Sequence, residues 1–176
     1  GMKYADVNTY LNNEIDCTYS PTLLGVDKLR EAAKKIMSAV SFDQPAFVIV
    51  DSDCDGFTSA ALLINYLYCA FPSWVSRRLT YGFHQGKAHG IDEFVDELEN
   101  SDIKLLLVPD AGSNDNDSIN RLHSKMDIII LDHHIIEGGS SNTNATIINS
   151  QYSYPNSDLS GVGVVYKFCQ FMDKLF

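Results

Sequence analysis

The sequence predicts an α/β domain of three layers, a mostly parallel sheet with helices on both faces. Three observations predict it. Short continuous apolar runs rich in Val, Ile and Leu stand at residues 47–50, 103–108, 128–131 and 146–148, the pattern of strands buried on both faces. Stretches with helical spacing separate these runs, and that alternation marks parallel strands joined by crossover helices. The first three runs each end in or beside an Asp, and the fourth ends at Asn149. In such sheets, functional groups collect just beyond the carboxyl ends of the strands.

Taken in order, residues 1–24 read as a leader that packs on the domain, and residues 25–176 as the domain itself. From Asp27, the residues Leu29, Ala33, Ile36 and Val40 recur at helical spacing among Lys, Arg and Glu, which predicts an amphipathic surface helix. Gln44-Pro45 separates it from the first strand, Phe47 to Val50. Thr58 or Ser59 is the expected cap of a second helix running to about Phe71. That helix is apolar nearly all round and is expected to be buried; Pro72-Ser73 ends it. A short strand is expected from Arg78 to Phe83. The loop His84-Gln85-Gly86-Lys87-Ala88-His89-Gly90 follows, and then Ile91, Phe94, Val95 and Leu98 predict an amphipathic helix with an acidic outer face. After the strand Ile103 to Val108, the cluster Gly112-Ser113-Asn114-Asp115 reads as a turn that caps a helix carrying Ile119, Leu122 and Met126. Strands at 128–131 and 146–148 come next, separated by a flexible loop at 138–144. Ser160-Gly161-Val162-Gly163 opens an apolar helix expected to run to the final residue.

A chain of 176 residues suits one domain with a sizeable core. Its net charge of −10 gives no overall attraction to nucleic acid, so binding a polyanion would need a local patch or bound metal. Cys17, Cys54, Cys69 and Cys169 are scattered with no CxxC pair. That argues against a zinc ribbon or a disulfide framework and for a reduced, cytoplasmic setting. No apolar run is long enough to span a bilayer, and no secretory signal is present.

The chemistry concentrates at the strand ends. Asp51, Asp53 and Asp55 alternate directly after the first apolar run. Three anions so close repel one another unless something positive sits between them. Carboxylate oxygens suit Mg²⁺, Mn²⁺ or Ca²⁺; a polar turn in which an Asp caps the next helix accounts for the same residues. Adjacent histidines on extended chain point to opposite sides, so one of His133 and His134 can face a metal while the other faces a substrate. A surface pair or a helix cap is the alternative for the two alone. Parallel neighbours would bring Asp51, Asp53, Asp110, Asp132, His133 and His134 to one edge. Carboxylates buried together need a counter-charge, and carboxylates with one or two imidazoles make a two-metal site of the kind that hydrolyses phosphate esters. The mixed oxygen and imidazole set suits Mn²⁺ better than Ca²⁺.

Four segments then stand in a recognisable order: Asp51-Ser52-Asp53-Cys54-Asp55-Gly56, Pro109-Asp110-Ala111-Gly112-Ser113, Asp132-His133-His134 and Leu159-Ser160-Gly161-Val162-Gly163. They resemble the successive motifs of the DHH phosphoesterase superfamily over roughly residues 45–170, and the Asp-Gly ending of the first is closer to the RecJ-like single-strand exonuclease branch. Asn149, followed by aromatic and Pro residues, resembles that branch too. The resemblance implies a Rossmann-like DHH domain holding two ions, Mn²⁺ or Mg²⁺. It implies Asp51 and Asp53 as metal ligands, Asp110 as the carboxylate bridging both ions and His133 as a further ligand. His134 would contact the scissile phosphate, and Asp132 would orient a histidine. Asp55 would support the loop. Gly161 and Gly163 would offer backbone N–H groups to a phosphate, with close helix packing as the alternative. Lys87 and His89 resemble a substrate loop and could hold a phosphate of the strand. Arg77 and Arg78 could add local positive charge, or be a solvated pair.

The implied activity is hydrolysis of phosphodiester bonds in single-stranded DNA. A small-substrate phosphodiesterase acting on short oligonucleotides or cyclic dinucleotides is one alternative, and a non-catalytic DNA-associated scaffold is another. Superfamily members carry a further Asp ligand after the Gly-rich helix and a second, substrate-gripping domain. Asp158 and Asp173 fit that ligand poorly, so a missing C-terminal domain is expected.

Overall fold

A computed structural model describes residues 19–86, 89–138 and 142–175. Most of the expected leader, residues 1–18, lies outside them, as does Lys87. A 3₁₀ turn at Pro21–Leu24 leads into α1, Val26–Ser41. The remaining elements are β1 (Ala46–Val50), α2 (Cys54–Ala70), α3 (Pro72–Arg78), β2 (Leu79–Phe83), α4 (Val95–Glu99), β3 (Leu105–Pro109), α5 (Asn116–Leu122), β4 (Asp127–Asp132), β5 (Thr146–Asn149) and α6 (Gly161–Met172).

The five strands form one parallel sheet in the order β2-β1-β3-β4-β5. Every residue of β1 and β3 is buried, as continuous apolar runs require. Alternation along each strand divides the core in two. Val48, Val50, Leu107, Leu131 and Ile148 face α1, α2 and α6. Ile49, Leu106, Val108, Ile130 and Ile147 face α4 and α5. The three-layer α/β architecture read from the sequence is therefore the one observed. The chain leaves β1 for β2 on one side and returns to β3 on the other. The loops after β1 and β3 thus part at a topological switch point, which is where open α/β sheets bind ligands.

Local structure departs from expectation in four places. The cap of α2 is Asp53, not Thr58 or Ser59: its Oδ1 accepts the Gly56 N–H at 2.8 Å. The Thr58 hydroxyl instead donates back to the Cys54 carbonyl at 2.8 Å, inside the helix. α2 is also not buried all round, because only one side of it packs on β1, β3 and α6, which leaves Phe57 and Tyr68 exposed. Asp115 stands at the N-cap of α5 as expected, but its side chain makes no capping bond; its Oδ2 accepts the Ile91 N–H at 2.6 Å and so ties down the preceding loop. α6 stops at Met172. Pro72 both ends α2 and opens α3, since a helix tolerates Pro at its first position.

Arg77 and Arg78 share one carboxylate, which offsets one of their two charges. They bind Asp43 at 3.0 and 2.7 Å, and the guanidinium of Arg78, then that of Arg77, holds the Asp43 carboxyl down to about 2. Cys54, Cys69 and Cys169 are free thiols. Among the described residues no helix is long and apolar enough to cross a membrane.

Candidate metal centre

Asp51 follows β1 directly and is buried. Its Oδ1 accepts the Ser52 N–H at 2.7 Å, and its Oδ2 lies 2.6 Å from His89 Nδ1. Gly56 lets α2 begin against it, since a Cβ at position 56 would overlap the Cβ of Asp51. Asp53 stands one turn on, at the head of α2.

Asp110 follows β3 with φ +74°, a left-handed conformation uncommon for any residue but Gly. A bond from its N–H to the Leu131 carbonyl at 2.7 Å fixes it there. Non-glycine residues held in this region cluster at functional sites. Asp132 closes β4 and is buried. Its Oδ1 accepts the N–H groups of His133 (2.6 Å) and His134 (3.0 Å) and faces His134 Nδ1 at 2.8 Å. Its Oδ2 accepts the Ser113 N–H at 3.0 Å. Burial alone would raise this carboxyl, yet the bonds from His134 and Ser113 hold it well below the usual range. Asp132 in turn pushes His134 up to about 9.

His133 Nε2 lies 3.2 Å from Asp110 Oδ1 and 3.6 Å from Asp55 Oδ2. Proximity to Asp110 raises the imidazole. Burial, then the charges of Asp55 and Asp53, raises Asp110 itself. Two groups of metal-ligating atoms result, each within 4.8 Å: Asp51, Asp53 and Asp110, and Asp110, His133 and His134. Asp110 belongs to both.

The donor set fits hard divalent cations. Asp110 Oδ1 is buried with no hydrogen-bond partner among the described residues; the nearby imidazole nitrogen, His133 Nε2, lies 3.2 Å away. Such an atom needs a counter-charge. The donors are oxygen and imidazole nitrogen without thiolate, which suits Mn²⁺ or Mg²⁺.

Asp55 is placed as support. Its carboxylate accepts the Gly161 N–H at 2.7 Å and the Val162 N–H at 3.0 Å, capping α6 from 106 residues away in sequence. The Gly163 N–H donates to Ser160 Oγ at 3.3 Å. The amides of Gly161 and Gly163 are thus engaged within the chain, and close packing is what Gly161 provides. A Cβ on Gly161 would overlap Asp110 Oδ1. Asp55→Ala removes both bonds to α6 and is expected to cost about 1–3 kcal/mol, read as a fall in Tm of about 3–9 °C by thermal denaturation without metal.

His89 sits at the centre, not merely near it, through its contact with Asp51. Its loop is held by Asp115, by a bond from Ser52 Oγ to the Gly86 carbonyl at 2.9 Å, and by His84 Nδ1 against Glu93 Oε2 at 2.7 Å. A cleft of about 410 Å³ opens beside it, lined by His89, His134, Asp132, Ser113, Asn114 and Asp115. Asn149 braces the far side, its Nδ2 donating to Ser113 Oγ (2.9 Å) and the His134 carbonyl (3.0 Å). Sequence reasoning does not single out Ser113, Asp115 or Glu93 as site residues. The one signal for Asp115 is its place in a polar cluster after a strand.

A parallel sheet that gathers carboxylates and imidazoles at its switch point defines an α/β domain with a candidate cation site. Residues 45–175 match the DHH family, N-terminal domain, and the chain belongs to that family. It is 36% identical over 152 residues to YorK of the SPbeta prophage in Bacillus subtilis (strain 168), which carries the provisional name of a single-strand DNA-specific exonuclease. That match covers 85% of this chain and 25% of YorK. It is 29% identical over 143 residues to the single-stranded-DNA-specific exonuclease RecJ of Haemophilus influenzae, covering 78% of this chain and 24% of RecJ. The chain therefore spans about a quarter of the length of the curated relatives it matches. Among solved structures, RecJ from Thermus thermophilus in complex with Mn²⁺ superposes with a TM-score of 0.70 at 21% identity, over 97% of this chain and 25% of that one.

Proposed function

We propose that this domain is a metal-dependent phosphodiesterase centre of RecJ type that hydrolyses single-stranded DNA with two ions, Mn²⁺ or Mg²⁺. The observation that carries the reading is Asp110, which belongs to both ligand groups and holds a buried oxygen without a hydrogen-bond partner among the described residues. Asp51, Asp53 and Asp110 would hold one ion, and Asp110 with His133 the other. Bound there, the ions would offset the phosphodiester charge and lower the pKa of a water for attack on phosphorus.

The chain's own groups do the rest. Asp132 takes the Nδ1 side of His134, fixing the ring and leaving Nε2 as the nitrogen for the scissile phosphate, as an orienting carboxylate does for an imidazole. Asp55 keeps α6, and with it Gly161, against Asp110. His89 and Lys87 are assigned to a neighbouring phosphate. The names of the relatives support single-stranded DNA as substrate, and the manganese complex of a fold relative supports the metal. A cytoplasmic setting fits the free thiols. Since the chain spans only a quarter of those relatives, activity of this polypeptide by itself is part of the proposal.

The test is hydrolysis of a long 5′-labelled single strand and of dinucleotides, with Mn²⁺ present, by the chain as it stands. Shortening of the long strand is expected. The size of the cleft favours a second reading, a small-substrate phosphodiesterase, and cleavage of dinucleotides alone would establish it instead. Calorimetric titration showing no Mn²⁺ binding at micromolar to millimolar concentrations would overturn both in favour of a scaffold.

A further inference from the structure

Three aromatic side chains stand exposed beside the candidate centre without a packing role to explain them: Phe57 (46% exposed), Tyr81 (55%) and Phe83 (47%). Their rings form one group. Phe57 and Phe83 are 5.6 Å apart and tilted by 32°, and Tyr81 meets Phe83 edge-on at 5.4 Å. They come from different elements, α2 and the edge strand β2. The pairing register sets Val48 beside Tyr81 and Val50 beside Phe83, so the sheet holds both β2 rings on the α2 side. Gly82 between them faces the other way, onto the rings of Phe47 and Phe94. The result is a shallow groove of about 320 Å³ whose floor includes Val50, Ala61 and Ile64.

Two features say what the groove accepts. Every residue lining it is uncharged, in a chain of net charge −10, so a phosphate backbone is not repelled by the groove walls. The groove is also continuous with the ligand loop. Val50 is the residue before Asp51, Phe57 is the residue after Gly56, and the Phe57 N–H donates to the Asp53 carbonyl at 3.0 Å. A strand whose phosphate lies at Asp51 and Asp53 must carry its adjacent bases across neighbouring surface. Proteins that hold single strands without sequence preference use exposed aromatic rings as stacking platforms for successive bases.

We propose that Phe57, Phe83 and Tyr81 form a base-stacking platform for unpaired nucleotides next to the scissile phosphate, an assignment that rests on the phosphodiesterase reading above. It predicts tolerance of all four bases and a requirement for a base at that position. The test measures binding of oligo(dT), and of an abasic strand of equal length, both with hydrolysis-resistant backbones, to the chain with Mn²⁺ present by fluorescence anisotropy. Phe57→Ala and Phe83→Ala should each weaken oligo(dT) binding about tenfold, the size of one base–aromatic stack, and leave abasic binding unchanged. Phe57→Trp should restore it. Both Phe side chains are about half exposed, so folding is expected to persist, and an unchanged Mn²⁺ titration in each variant checks this. Equal binding of the two strands by the unmodified chain, or unchanged oligo(dT) binding in both Ala variants, overturns the proposal while leaving the metal centre standing. A base-dependent loss in a chain that binds no Mn²⁺ upholds the platform and sinks the phosphodiesterase reading. Conversion of a dimer to a monomer by Tyr81→Lys, with oligo(dT) affinity intact, assigns the groove to self-association instead.

Discussion

Asp110→Asn is expected to strip the centre of both ions. A ligand that serves two cations cannot be replaced at one of them alone, so Mn²⁺ affinity should fall at both positions. The loss should be at least about a hundredfold, the upper end of what a partner outside the coordination sphere costs. Hydrolysis should fall with it. The effect on stability has the opposite sign. Burial, with Asp55 and Asp53 close by, disfavours the charged form of Asp110 in the metal-free protein, so a neutral amide relieves repulsion. Asn also tolerates the left-handed backbone that Asp110 adopts. The metal-free Tm of the variant should therefore equal or exceed that of the unmodified chain. Calorimetric Mn²⁺ titration and thermal denaturation on the same sample check both signs. Retention of full Mn²⁺ affinity would remove Asp110 from its assigned role.

Gly161→Ala should act on the same carboxylate from the other side. Helix propensity alone favours Ala by about 1 kcal/mol. Sterics oppose it: the new Cβ would overlap Asp110 Oδ1 and lie 2.5 Å from its Cγ. Asp110 is held by its backbone bond to Leu131, and Gly161 by its bond to Asp55, so neither side yields freely. Overpacking of this kind costs about 1–3 kcal/mol, and relief by displacing Asp110 spoils the ligand geometry. The expected result is a lower Tm together with weakened Mn²⁺ binding. Gly163→Ala supplies the comparison. Its Cβ would come closest to the flexible end of Leu159, at 3.1 Å, with Leu159 Cβ and Ser160 Oγ at ordinary contact distance, and should leave Mn²⁺ binding intact. Equal effects of the two substitutions would show that α6 is sensitive to any change in its first turn, not to contact with Asp110.

What the sequence discloses, and what it withholds, follows from the range of the interactions. Val48 and Ile49, Leu106 and Leu107, Ile129 and Ile130 are apolar in adjacent positions because both faces of those strands are covered, and that pattern is local. So is the helical spacing of Leu29, Ala33 and Ile36 on α1. The Asp at each strand end is legible for the same reason, and parallel pairing then brings those ends together. Contacts that join distant segments leave no periodic trace. Asp55 reaches α6, His89 reaches Asp51 over 38 residues, and Asp115 reaches Ile91 over 24. In the sequence nothing points from any of them to the partner it meets. The start of α2 is misplaced by sequence reasoning because Ser52-Asp53-Cys54-Asp55-Gly56 has turn composition; Gly56 is there to bring the helix against Asp51, a reason visible only once β1 and α2 meet. The exposure of Phe57 and Tyr68 is hidden likewise, since apolar composition on α2 does not tell a helix buried all round from one covered on a single side.

Anomalous diffraction from crystals soaked in Mn²⁺ tests the central claim most directly. Two peaks about 3.5–4 Å apart, with Asp110 touching both, Asp51 and Asp53 on one and His133 on the other, are the predicted result. Manganese bound only at sites remote from Asp110, or a single ion that Asp51 and His133 do not share with it, would contradict the account.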